Sequence, residues 1–211
     1  MRANKKNISI FIIWLVHISG FMGMVFYDLD FFATFTPLNL ALMLIILLVN
    51  MYKIVKQEIL SILLIFFIGM LAEVLGVNYG LIFGKYDYGN NLGFKLFGVP
   101  FLIGINWIML TIISGSIASL LFKNKNIFFT ITCGALLMLA MDFVMEPIAP
   151  KLDLWQFENL VVPLSNYFGW FIIGLVTQTI YKLQFLQKEI RVSANLYIAF
   201  FLFFGLLNLF I

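Results

Sequence analysis

The sequence predicts an all-α, polytopic transmembrane bundle of about seven helices with its N-terminus in the cytoplasm. Three observations predict it. Of the 211 residues, 63% are hydrophobic and only 11% charged, with a mean hydropathy of +1.06. A soluble domain carries roughly 25% charged residues, so this chain cannot cover a globule with polar surface and must meet lipid instead. Apolar runs long enough for a span of about 20 residues recur along the chain. Between them, Lys and Arg alternate from side to side as the positive-inside rule requires.

The first run, Ile8–Tyr27, follows the basic start Arg2, Lys5, Lys6. That start resembles the basic region of a signal peptide, but the run is long and no small-x-small cleavage site follows, so it predicts an uncleaved helix. A second span runs from about Pro37 to Tyr52, which is short unless it begins near Phe31. The third covers Ile59–Val77, the fourth Gly98–Phe122, the fifth Ile127–Met145, the sixth Val161–Tyr181 and the seventh Val192–Ile211. One transmembrane domain over residues 1–211 follows, with its motifs between about 69 and 174. Seven spans put Arg2, Lys5, Lys6, Lys53, Lys56, Lys123, Lys125, Lys182, Lys188 and Arg191 inside, and only Lys85, Lys95 and Lys151 outside. A miscounted span would break this pattern.

The net charge of +3 is segregated by loop. It therefore speaks to topology and not to nucleic acid. The one cysteine, Cys133, excludes an internal disulfide, and the one histidine, His17, excludes a His-based metal site. His17 reads as a packing residue bonded to a neighbouring helix. Phe occurs 25 times, which suits a surface facing lipid or a long apolar ligand. No signal for an oligomeric state is present.

Three carboxylates fall in or at the ends of helices: Glu73, Asp142 and Glu146. An ionisable group inside a membrane costs about 2.5–3.5 kcal/mol on insertion scales, so such residues face a cavity or a partner. Asp142 and Glu146 are four apart and share one helix face, and Pro147 ends that helix. Glu73 lies about one turn before the outer end of the third span. Asn166 sits at the same level on the sixth, and Asn106 with Trp107 lies two turns into the fourth. Four spans thus bring polar side chains to one depth. Between the third and fourth spans, the stretch from Gly76 to Gly89 carries Tyr79, Tyr86 and Tyr88 among several glycines. Tyr86 and Tyr88 point the same way in an extended chain. They fit either a loop capping the polar pocket or an interfacial aromatic belt. Trp14, Trp155 and Trp170 read as packing or interface anchors, and Lys85 as a solvated loop lysine.

Three acids without an intramembrane Lys or Arg partner admit three chemistries. Burial and mutual repulsion keep one carboxyl protonated beside an ionised one, as paired acid and base catalysis needs. Oxygen ligands could hold a hard cation such as magnesium. Proton-coupled transport uses the same groups.

Leu71-Ala72-Glu73-Val74-Leu75-Gly76, Tyr79-Gly80, Phe83-Gly84-Lys85-Tyr86-Asp87-Tyr88, Leu96-Phe97-Gly98-Val99-Pro100, Met141-Asp142-Phe143 with Glu146-Pro147, and Val162 through Trp170 together resemble the membrane carotenoid biosynthesis family, which includes the bisanhydrobacterioruberin and γ-carotene hydratases. The resemblance implies an integral protein of a bacterial inner membrane that hydrates the terminal double bond of an acyclic carotenoid end to a tertiary alcohol. It implies no cofactor and no metal. The partners it implies are a substrate of lycopene or γ-carotene type and membrane lipid. Glu73, Asp142 and Glu146 would be catalytic; Tyr79, Tyr86, Tyr88, Asn106, Trp107 and Asn166 would bind substrate. Met141 replaces an aromatic residue usual in the family, and the loop that follows is short, which points to an altered substrate. A lycopene-cyclase-like enzyme and a proton-coupled transporter are the alternatives. A retinal-type photoreceptor would need a lysine between Val192 and Ile211, and none is there.

Overall fold

The computed structural model describes residues 2–51, 54–123, 126–185 and 189–211. Tyr52, Lys53, Lys125 and Lys188, used above for span and charge assignments, lie outside the described residues. Eight α-helices account for most of the described residues: α1 (Arg2–Phe26), α2 (Leu29–Ala33), α3 (Thr36–Asn50), α4 (Lys56–Tyr79), α5 (Phe101–Leu121), α6 (Ile127–Met145), α7 (Leu164–Gln184) and α8 (Ile190–Phe210). Four short strands lie in the connections: β1 (Tyr86–Tyr88), β2 (Lys95–Leu96), β3 (Val99–Pro100) and β4 (Trp155–Phe157).

The second span differs from its expected form. It begins earlier, at Leu29, and breaks between Ala33 and Thr36. Asp28 caps the short α2 by accepting from the Phe31 N–H at 2.9 Å, and Pro37 stands in the first turn of α3, where its missing N–H costs nothing. The fourth span begins later than Gly98. Phe97 and Gly98 both have positive φ, 50° and 84°, and form the two-residue turn of the β2–β3 hairpin. Helix α5 then starts from the extended Pro100.

Among the described residues, six helices are long and apolar enough to cross a membrane, counting α2 and α3 as one. Helix α7 is equally long, at 21 residues, but Ser165, Asn166, Thr177, Gln178 and Lys182 dilute its apolarity. It packs along α6, α4 and α5. The course of α8 decides the parity. Lys6 pairs with Glu189, Trp14 Nε1 donates to Asn195 Oδ1 at 2.9 Å, and Phe21 meets Phe210. Residue numbers rise together on both helices, so α1 and α8 run parallel. An odd number of crossings separates them, and α7 is the crossing that composition alone understates.

One end of the bundle gathers the basic turns. Lys5 Nζ donates to Val49 O, Lys6 pairs with Glu189, and Gln57 Nε2 donates to Gln184 Oε1. At the other end Lys151 Nζ donates to Ile211 O at 2.8 Å, and the strands and tight turns collect. Helix α5 is the axis. It touches α3, α4, α6, α7 and α8, and 78% of its most apolar window is buried. Its neighbours approach closely because it carries small residues: a side chain at Gly104 would strike Phe66, and one at Gly115 would strike Tyr181.

Candidate active site

Glu73 and the acids of α6 meet under a cap at the non-basic end. The cap is made by two connections that are far apart in sequence. Strands β1 and β4 pair antiparallel, with Tyr86 opposite Phe157 and Tyr88 opposite Trp155. Alternation along β1 buries Tyr86 and Tyr88 and leaves Asp87 exposed. The tyrosines therefore belong to the cap and not to an outward-facing belt. The Tyr88 hydroxyl donates to Glu73 Oε2 at 2.7 Å, and the Tyr86 hydroxyl donates to the same oxygen. Trp107 Nε1 donates to Glu73 Oε1 at 2.9 Å. Glu73 is 3% exposed, and these three donors replace the water it gives up.

Glycines shape the space around this acid. Gly69 and Gly76 flank Glu73 by one turn on the same face of α4. A Cβ at Gly69 would lie 2.4 Å from Trp107 Cγ, and one at Gly76 would lie 2.8 Å from the Tyr86 hydroxyl. The indole and the phenol each occupy the room that a side chain would take. Gly69→Ala is accordingly expected to displace Trp107 and cost about 1–3 kcal/mol by overpacking. Thermal melting in detergent checks the effect, and a variant that melts like the parent would disprove the close packing.

The second group of acids is bound by one amide. Asn166 Nδ2 donates to Asp142 Oδ2 at 2.8 Å and to Glu146 Oε1 at 3.0 Å. Both carboxyls lie on the same side of α6, as their spacing of four predicts, and Asn166 faces them from the first turn of α7. Trp155, on β4, donates from Nε1 to Glu146 Oε2 at 3.1 Å. All of these side chains, with Phe83, Ile103, Asn106, Phe157 and Trp170, surround a small pocket. Trp170 stacks on Trp107 with centroids 4.3 Å apart and planes 13° apart, and Phe83 approaches both rings. Among the described residues no three His, Cys, Asp or Glu side chains converge as a metal-ion site.

Several sequence expectations need correction. Tyr79 does not reach the site: it is 70% exposed at the end of α4. Trp155 and Trp170 are not peripheral anchors; the first binds a carboxyl and the second lines the pocket. His17 bonds within its own helix, Nδ1 to Ile13 O at 2.7 Å, and only its ring packs on α8, against Phe200 and Phe203. Lys85 is, as expected, a solvated loop lysine, 3.9 Å from the exposed Glu158. The expected capping loop is present and takes the form of the β1–β4 pair.

Glu146 stands just past the end of α6. Burial is the main reason its carboxyl is pushed up to about 7, against the hydrogen bonds from Trp155, Asp142 and Asn166, with the charge of Glu73 adding to the rise. The ordinary value is 4.5, so the folded chain holds this proton more tightly than the unfolded one. The resulting stability is fully present below 4.5 and is lost as pH rises through about 7. The melting temperature in detergent is expected to fall between about pH 5 and about pH 8, and Glu146→Gln to flatten the fall. An unchanged slope in that variant would assign the effect to another group. Burial likewise raises the Tyr86 and Tyr88 hydroxyls above their usual range, which keeps them as proton-bearing donors to Glu73.

Residues 32–211 match the family described as carotenoid biosynthesis protein. The chain belongs to this family. It is 29% identical to the bisanhydrobacterioruberin hydratase of Haloarcula japonica over 151 residues, which is 65% of this chain and 52% of the relative. The chain thus spans about half the length of that relative. No solved structure matches it. The family match takes in every helix from α3 to α8 and both halves of the cap, and so all the residues of the site described above.

Proposed function

We propose that this protein is a carotenoid hydratase that adds water across the terminal double bond of an acyclic carotenoid end. The observation that carries the reading is the junction of two spaces. An apolar cavity of about 360 Å³ and the carboxylate pocket share Ile103, Asn106 and Trp155 as a common wall. A hydrocarbon held in the first presents its end to the acids in the second. The carboxylate pocket itself has a volume of about 20 Å³, enough for a single water.

In this mechanism the Asp142–Glu146 pair shares one proton, since two carboxyls bridged by one amide do not both ionise in a buried site. That proton passes to the less substituted alkene carbon, forming the C–H bond and leaving a tertiary cation. Trp170 and Phe83 offer π-faces to the cation. Glu73, held in place by three donors, takes a proton from the water as the water oxygen bonds to the tertiary carbon. The product is a tertiary alcohol, and proton exchange from Glu73 back to the pair resets the site. Hydration is favoured over cyclisation by the similarity to a hydratase and by the polar amides of Asn106 and Asn166 beside the acids. The charge bias puts the site on the non-cytoplasmic side.

Expression in a host that accumulates lycopene or γ-carotene tests the reading. A pigment heavier by one water is expected by mass spectrometry. An isomer of unchanged mass would make the enzyme a cyclase, and absence of any new pigment would remove both.

A further inference from the structure

The cavity beside the acids contains a polar feature that the hydration chemistry does not use. It is enclosed by α1, α3, α5 and α8, and its lining is almost wholly apolar and aromatic, with Met24, Phe35, Phe200 and Phe204 among the walls. His17 and Asn39 also line it. His17 is 3% exposed. Its Nδ1 lies 2.7 Å from the carbonyl of Ile13, and a carbonyl only accepts, so Nδ1 carries the proton. The neutral ring then presents Nε2 as a lone pair. Nε2 is buried without a partner, and so is Asn39 Oδ1.

We propose that this cavity is a binding site for an isoprenoid chain bearing a hydroxyl group, with His17 Nε2 accepting the hydroxyl proton. Two acceptors without donors in an apolar enclosure carry an unrelieved desolvation cost. A pure hydrocarbon would leave it in place. A chain with one O–H relieves it at His17 while filling the apolar space, and a cavity of this volume lies in the usual range for small-molecule sites, about 300–1,000 Å³. The lining also includes the exposed Ser19, Phe35 and Leu38, so the cavity reaches the lipid face of the bundle. The isoprenoid character of the ligand rests on the function proposed above; the preference for a hydroxyl rests on His17.

The test is equilibrium binding of tritiated geranylgeraniol to the full chain in detergent, with unlabelled geranylgeraniol and its methyl ether as competitors. The alcohol is expected to compete about tenfold better than the ether, the worth of one buried hydrogen bond. His17→Phe, which keeps the ring and loses the acceptor, is expected to abolish that difference. Equal competition by alcohol and ether in the parent would overturn the proposal and assign Nε2 to a retained water. So would a preference that survives His17→Phe, or failure of both compounds to bind. Asp142→Asn, outside this cavity, keeps the alcohol preference even with catalysis lost. A parent chain that makes no hydrated pigment yet prefers the alcohol would therefore defeat the hydratase reading alone.

Discussion

Asp142→Asn is expected to reduce hydration by roughly 10³-fold, the worth of a positioned general acid, while leaving the bundle assembled. The substitution is close to isosteric. Its side-chain oxygen still accepts from Asn166 Nδ2, which holds Asp142 at 2.8 Å, so the α6–α7 packing keeps its polar contact. What disappears is the transferable proton. Glu146, the other member of the pair, is one turn farther along the chain and is engaged by both Asn166 and Trp155, so it replaces that proton poorly. The measurement is hydrated pigment per unit of membrane-inserted protein, by mass spectrometry. Turnover within threefold of the parent would exclude Asp142 as the donor and shift the role to Glu146.

Glu73→Gln is the second substitution with a large effect, and its consequences are mixed. One oxygen becomes an N–H₂ group facing donors. The phenols of Tyr86 and Tyr88 can turn to accept from it, whereas the Trp107 N–H cannot accept, so the amide settles with its oxygen toward Trp107. The fold survives with a cost of about 1–3 kcal/mol, and turnover falls about 10²–10⁴-fold because the base is gone. The double variant Tyr86→Phe with Tyr88→Phe separates the two effects. It removes the cap's hold on Glu73 but keeps the carboxyl, and so is expected to lose stability more than turnover. If the double variant is as inactive as Glu73→Gln, the tyrosines and not the acid carry the chemistry.

The membrane class and the order of the helices were readable from composition and apolar runs because lipid imposes length and apolarity on each span separately. The grouping of Glu73, Asp142, Glu146 and Asn166 was readable for a related reason. Each lies a countable number of residues from a helix end, so depth follows from position alone. Trp155 and Phe157 were not, because their placement depends on β1 pairing with β4, strands about seventy residues apart that are three residues long each. Local pattern carries no record of that pairing. Trp170 had the opposite difficulty: tryptophan near a membrane interface has a common explanation, and its stacking on Trp107 is visible only when α5 and α7 are seen side by side. Tyr79 misled because it shares a glycine-rich loop with Tyr86 and Tyr88 but precedes the Gly80 turn, φ +68°, that sends the chain back over the pocket.

The exposed residues on the lip of the apolar cavity set the unit in which substrate concentration is counted. A site entered sideways from the bilayer sees mole fraction of pigment in lipid and not molarity in water. Adding inert phospholipid at fixed total pigment would slow the enzyme by surface dilution. Ordering of the acyl chains would act on the rate of entry and leave the acids untouched.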